Sequence, residues 1–274
     1  MMPLFEELAL LAAVKLPDDA LMTISATQIP FEVELGDWLR LRSKAAGYDI
    51  LEVESGASRQ GQTVHAAAIA GRNGLRMFAA NNGSVVVLLT ATMPANASEH
   101  VREVIGAVAS SFEFAQPSGS ATLEPVVKYA DPSGLFSVAY PASWTACPVE
   151  ALPGVSALNL RLLDEAGEAA HIHCEANTLH SRGDTGVRKV LEALLEDASA
   201  AGVTISSLDT GKDGRLEGEY EADGVSGPCL VALRPAGKTW LAVMALFPAQ
   251  ESDAWLWLRA RRAFDIVAST LDTP

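Results

Sequence analysis

Met93-Pro94-Ala95-Asn96-Ala97-Ser98-Glu99 and Phe247-Pro248-Ala249-Gln250-Glu251-Ser252-Asp253 share one pattern. In each, an apolar run reaches a proline, which cannot donate to a strand ladder, and a serine beside an acidic residue then opens a helix. The second copy stands 154 positions after the first, from 93 to 247. Upstream, Ala46-Gly47 matches Ala201-Gly202, Gly56 matches Gly211 and Gly83 matches Gly237 at nearly the same offset, and Leu21–Ile29 matches His171–Leu179 at a shorter one. Punctuation that recurs at a fixed period marks a duplicated structural unit. The chain therefore reads as two diverged copies of one α/β (α+β) unit, related by approximate twofold symmetry.

The second copy predicts strands at 136–140, 158–163 and 170–176, a helix over 185–201, three or four antiparallel strands, and a helix over 253–271. Val187, Val190, Leu191, Leu194, Ala198 and Ala201 recur at spacings of 3 and 4, an apolar stripe for packing on a sheet, and Gly202 ends that helix. Lys212-Asp213-Gly214 and Asn81-Asn82-Gly83 suit tight hairpin turns. Gln116–Pro125 is rich in Pro, Ser, Gly and Ala, a linker composition. The expected organisation is a first unit over 1–115, a linker over 116–125 and a complete second unit over 126–274. The first unit shows no counterpart of the strands that open the second, and so looks short of one or two. A sheet edge left bare in this way invites edge-to-edge association, so cover from the linker or the second unit is expected there.

The chain has 274 residues, 49% of them hydrophobic, enough for two cores. Its formal charge of -14 repels phosphate backbones and anionic membrane surfaces, which disfavours a nucleic-acid partner. The three cysteines, Cys147, Cys174 and Cys229, have no Cys-x-x-Cys spacing and read as reduced, small apolar residues. Leu8–Val14, preceded by Glu6 and Glu7, lacks the basic start and length of an export signal, and no apolar run approaches a membrane span. A cytoplasmic monomer containing an internal pseudo-dimer, without membrane insertion, is the expectation.

Gly134-Leu135-Phe136-Ser137-Val138-Ala139-Tyr140-Pro141-Ala142-Ser143-Trp144 resembles the opening of the PsbP-like superfamily, a short Phe-x-Val-x-Tyr-Pro strand leading to a tryptophan. The order of strands, helix, antiparallel sheet, proline-ended strand and final helix is also similar to that family over about 125–274. The resemblance implies tandem α/β/α sandwiches, each a curved antiparallel sheet packed with helices. It also implies a binding or assembly role, with chaperones of type VI secretion effectors as the nearest functional branch. It carries over no catalytic residue.

His171-Ile172-His173-Cys174-Glu175 is the most suggestive cluster for chemistry, because a strand turns His171 and His173 to one face at a spacing that could share a metal, with His180 close behind. The plainer reading puts both histidines on the solvent side of the strand. No Gly-x-Ser-x-Gly elbow and no phosphate-binding glycine loop occurs, so no catalytic residue and no cofactor is predicted. Glu217, Glu219 and Glu221 alternate like the wet face of a strand.

In the last helix Trp257, Ala260, Phe264, Val267 and Leu271 form a core-facing stripe, whereas Trp255 falls on another side with Arg259 and Arg262. That group suits contact with a protein partner or with the other unit. The favoured function is a non-enzymatic protein-binding module, a chaperone or adaptor. The alternatives are a metal-dependent protein or enzyme using His171 and His173, and a purely structural subunit.

Overall fold

The computed structural model describes residues 8–57, 61–116, 123–150, 152–165, 167–178, 184–211 and 215–274. It divides into two compact units, 1–124 and 125–274. The first runs β1 (Ala9–Lys15), β2 (Leu21–Gln28), α1 (Leu35–Ala45), β3 (Asp49–Ala57), β4 (Gln62–Ala70), β5 (Asn73–Asn82), β6 (Val85–Pro94) and α2 (Glu99–Ser111). Its six strands form one antiparallel sheet in the order β1-β2-β6-β5-β4-β3.

Helix α1 lies on one face, with Ser43 Oγ against Met77 and Gly36 close to Ser55 and Val64. Asp37 near its start and Arg42 and Lys44 near its end match the helix dipole. Gly47, at φ 75°, then takes the left-handed turn that stops it. Helix α2 covers the other face, placing Val101, Ile105 and Ala109 on Met22, Phe78, Leu89 and Met93.

The second unit runs β7 (Val126–Ala130), β8 (Ser137–Pro141), β9 (Thr145–Pro148), β10 (Val155–Asp164), β11 (Gly167–Asn177), α3 (Asp184–Ala200), β12 (Thr204–Thr210), β13 (Leu216–Ala222), β14 (Val225–Ala236), β15 (Thr239–Leu246) and α4 (Ala254–Thr270). Its large sheet has the order β12-β13-β14-β15-β11-β10-β9, beside a β7–β8 hairpin. Helix α4 and the hairpin cover one face: Phe136, Val138, Ala260, Phe264 and Val267 pack on Leu158, Leu160 and Ile172. Helix α3 covers the other through Val190, Leu194 and Ala198, on Cys229, Trp240 and Met244. With both faces covered, β15 loses the polar alternation of a half-exposed strand and is buried from Trp240 to Leu246.

The expected α+β class, with antiparallel sheets packed by helices, is what the structure has. Read from the same side, the two large sheets share one strand order, with β1-β2-β6-β5-β4-β3 matching β10-β11-β15-β14-β13-β12. The register agrees in detail. Leu21 stands opposite Thr92 as His171 stands opposite Leu246, and the glycines that turn β5 into β6 and β14 into β15, Gly83 and Gly237, sit at φ 65° and 60°. Among the described residues, β7, β8 and β9 have no match in the first unit.

Three local readings are corrected. Ala9–Lys15, where no strand was expected, forms β1, which takes the place of β10; its unbroken apolar run hid the alternation that marks a strand. Ser98 sits at the N-cap of α2 but makes no side-chain cap bond; the N–H of Ser98 donates instead to Asp18 Oδ2 at 3.0 Å. Helix α4 is capped by Asp253, whose Oδ1 accepts from the N–H of Leu256 at 3.0 Å, while Ser252 Oγ donates to the Ala249 carbonyl. The turn expected at Lys212-Asp213-Gly214 and most of the linker, 117–122, lie outside the described residues.

Candidate functional site

Strand β1 reads Ala-Leu-Leu-Ala-Ala-Val-Lys, and all seven residues are exposed, with Leu10 at 63% and Leu11 at 61%. Its inner edge pairs with β2, with a bulge at Leu11, and no described strand lies along its outer edge. Most of the linker expected to cover such an edge, 117–122, lies outside the described residues.

Its match in the second unit is in the opposite state. Val14 stands opposite Met22 as Leu160 stands opposite Ile172, yet Val14 is 44% exposed and Leu160 is fully buried. Two neighbours account for the difference. Strand β9 pairs along the outer edge of β10, Ala146 against Leu160, and the β7–β8 hairpin brings Phe136 and Val138 over the apolar face.

His171 and His173 do share a face of β11, and that face is the one under α3, so their side chains are only 23% and 19% exposed. The solvent-side reading fails because alternation shows which residues share a face but not what covers it. His171 Nδ1 donates to Glu168 Oε1 at 2.9 Å, and Glu168 Oε2 pairs with Arg161 Nε at 3.3 Å. Burial holds His171 below its ordinary pKa although the Glu168 hydrogen bond pulls the other way. His173 Nδ1 donates to Asn159 Oδ1 at 2.8 Å, while its Nε2 is buried without a hydrogen-bond partner, 3.7 Å from Glu175 Oε2. A cavity of about 430 Å³ lies between these groups and Leu194 and Ala198 of α3, with Met244 beside His173 on the sheet. Among the described residues no three His, Cys, Asp or Glu side chains are placed to hold a metal, and His180 lies outside them.

The structure separates the partner candidates of the last helix. Trp257 packs on the core of the second unit but stays partly exposed, with the Arg261 guanidinium 5.3 Å from its ring centre. Trp255 and Arg259 are half-buried and both are engaged. Arg262, expected beside them at a partner or at the other unit, is buried, as is Leu258. Helix α4 thus hides two sides, and a single apolar stripe on a helical wheel reveals only one.

Sequence reading missed Asp131. This buried carboxylate follows β7, and Oδ1 accepts from Ser156 Oγ at 2.7 Å while Oδ2 accepts from Ser133 Oγ and from the Leu135 N–H at 3.0 Å. Burial would raise its pKa, but these hydrogen bonds outweigh burial and hold it below the usual carboxylate value. An Asp-Pro-Ser-Gly turn is the only signal in the sequence, and it says nothing of Ser156. Cys174 and Cys229 are buried, the latter with its pKa pushed up to about 12 by burial, which leaves both thiols unreactive. No described helix is long and apolar enough to cross a membrane.

No protein-family model and no curated protein matches the sequence. Among solved structures, the chain is similar to the T6SS immunity protein TplEi from Pseudomonas aeruginosa in complex with "L" peptide, at 12% identity over 94% of this chain and 93% of that one, with a TM-score of 0.24. It is similar to the Tle4–Tli4 complex with the same identity, coverage and TM-score. It is also similar to the solution structure of cyanobacterial PsbP from Synechocystis sp. PCC 6803, at 18% identity over 58% of this chain and 99% of that one, with a TM-score of 0.36. The last of these is a PsbP, the family that Gly134–Trp144 resembles.

Proposed function

We propose that this chain is a non-enzymatic protein-binding module, a chaperone or adaptor that holds an extended segment of a partner protein along β1. One observation carries the reading: β1 and β10 occupy the same place in two sheets of one strand order, and only β10 has its outer edge paired and its apolar face covered. The second unit supplies from its own chain a strand and a hairpin for which the first has no match among the described residues. A partner strand entering antiparallel to β1 would satisfy the free backbone groups of the edge, as in recognition by strand addition. Its apolar side chains would bury Leu10, Leu11 and Val14, a run with no charge before Lys15.

The test is capture from native lysate with the full chain and with a Leu10→Lys/Val14→Lys variant, which places charge on the edge without touching the core. The wild-type chain should retain a partner that the variant loses, and amide hydrogen exchange across Ala9–Lys15 should slow when that partner is bound. Equal capture by both proteins, or unchanged exchange in β1, rules the reading out.

A further inference from the structure

A second open place in the first unit lies on the far side of its sheet from β1, over β4 and β5 beside α2, and is independent of the reading of that edge. It is a cavity of about 420 Å³, in the range of small-molecule sites, which pair mostly apolar walls with a few polar groups. On its apolar walls Leu51 and Ile69 keep 65% and 37% of their surface in water. Among the described residues, every charged side chain of the lining is cationic: Arg72 in the β4–β5 turn, Arg76 in β5 and Arg102 in α2, in a chain whose formal charge is -14.

Arg72 and Arg76 are exposed and, among the described residues, have neither an ion-pair nor a hydrogen-bond partner. Arg102 is held loosely by Glu99, its Nη1 3.9 Å from Oε2. Glu99, Glu52 and Glu54 line an adjoining cavity of about 330 Å³, which Arg76 and Arg102 also border.

The second unit fills the matching places differently. Arg76 stands opposite Ala91 as Leu230 stands opposite Ala245, and Leu230 is 7% exposed in the core that α4 covers. Ile69 stands opposite Gly74 as Glu219 stands opposite Pro228, and Glu219 is exposed. The second unit thus closes this part of the sheet with a leucine and turns a carboxylate to water. The first has a guanidinium in place of the leucine and an isoleucine in place of the carboxylate, an exchange that the shared strand order does not require.

We infer that this cavity binds a small amphipathic anion, its carboxylate or phosphate group meeting the guanidinium groups of the lining and its apolar body lying on Ile69 and Met93. The planar fork of arginine suits either anion in a bidentate pair, and apolar walls strengthen such a pair by keeping water from it.

Titration of the full chain with octanoate, octyl phosphate and octylamine, followed through the methyl resonances of Ile69 and Met93, tests the assignment. One or both anions should saturate and shift these methyls, and the amine should not. Rising salt should weaken the anion, because the arginines face water. Arg76→Leu and Ile69→Glu each carry the residue found at the matching place of the second unit, so both should fold with an unchanged Tm. The first should weaken the anion about tenfold, the loss of one hydrogen bond to a charged group, and the second at least as much. The comparison of anions with amine on the wild-type chain stands whatever the variants do. Binding of none of the three compounds, equal binding of the amine, or full affinity in an Arg72→Gln/Arg76→Leu variant overturns the inference.

Discussion

Asp131 ties a turn after β7 to Ser156 in β10, 25 residues further on, and does so as a carboxylate with three donors. Asp131→Asn would turn an amide donor toward one of those donors, and a buried mismatch of that kind costs about 1–3 kcal/mol. Its folded pKa lies below the ordinary 3.8, so the unfolded chain takes up the proton first as pH falls. The contribution is therefore complete above that value and is lost as pH drops through the folded pKa. Urea unfolding should show Asp131→Asn less stable than wild type at pH 7, with the gap closing below about pH 4. A gap that persists into acid would mean that packing rather than charge sets the cost. Local sequence could not reveal this residue, because one of its three donors arrives from a strand that only the fold brings near.

Helix α4 shows how far periodicity reaches. Its span was legible to within a residue at each end, and the side bearing Ala260, Phe264, Val267 and Leu271 does face the core. Phe264→Ala should cost about 3–5 kcal/mol, as for a fully buried aromatic, and Trp257→Ala distinctly less, since Trp257 keeps part of its surface in water. Chemical denaturation of the two variants decides this, and a larger loss at Trp257 would reverse the ranking. What was not legible is the second buried side, Leu258 and Arg262, because an arginine scores as solvent-facing wherever its guanidinium finds a partner. The same limit hid β1, whose apolar residues do not alternate, and put the two histidines in water. In each case the deciding fact is a neighbour distant in sequence.

Each unit has its own core, the first around Phe78 and Leu89, the second on both faces of its sheet. The piece 125–274 should therefore unfold cooperatively and stay monomeric, while 1–124, with a bare apolar edge, should carry whatever self-association the full chain shows. Circular dichroism melts and light scattering on the two pieces would check this, and a monomeric 1–124 beside an aggregating 125–274 would contradict it. The strand order that the two large sheets share was legible at this scale from recurring prolines and glycines, because turns that need a particular backbone tolerate few residues. The exposure of β1 was not, since exposure is a property of the assembled sheet. One tie in the second unit bears on its synthesis. The N–H of Ala139 in β8 donates to Thr270 Oγ1 at the end of α4, 131 residues later. At roughly 5–20 residues per second, a ribosome needs about seven to twenty-six seconds between making the two. Throughout that interval the nascent β7–β8 hairpin lacks its tie to α4, a window in which a holdase would find it.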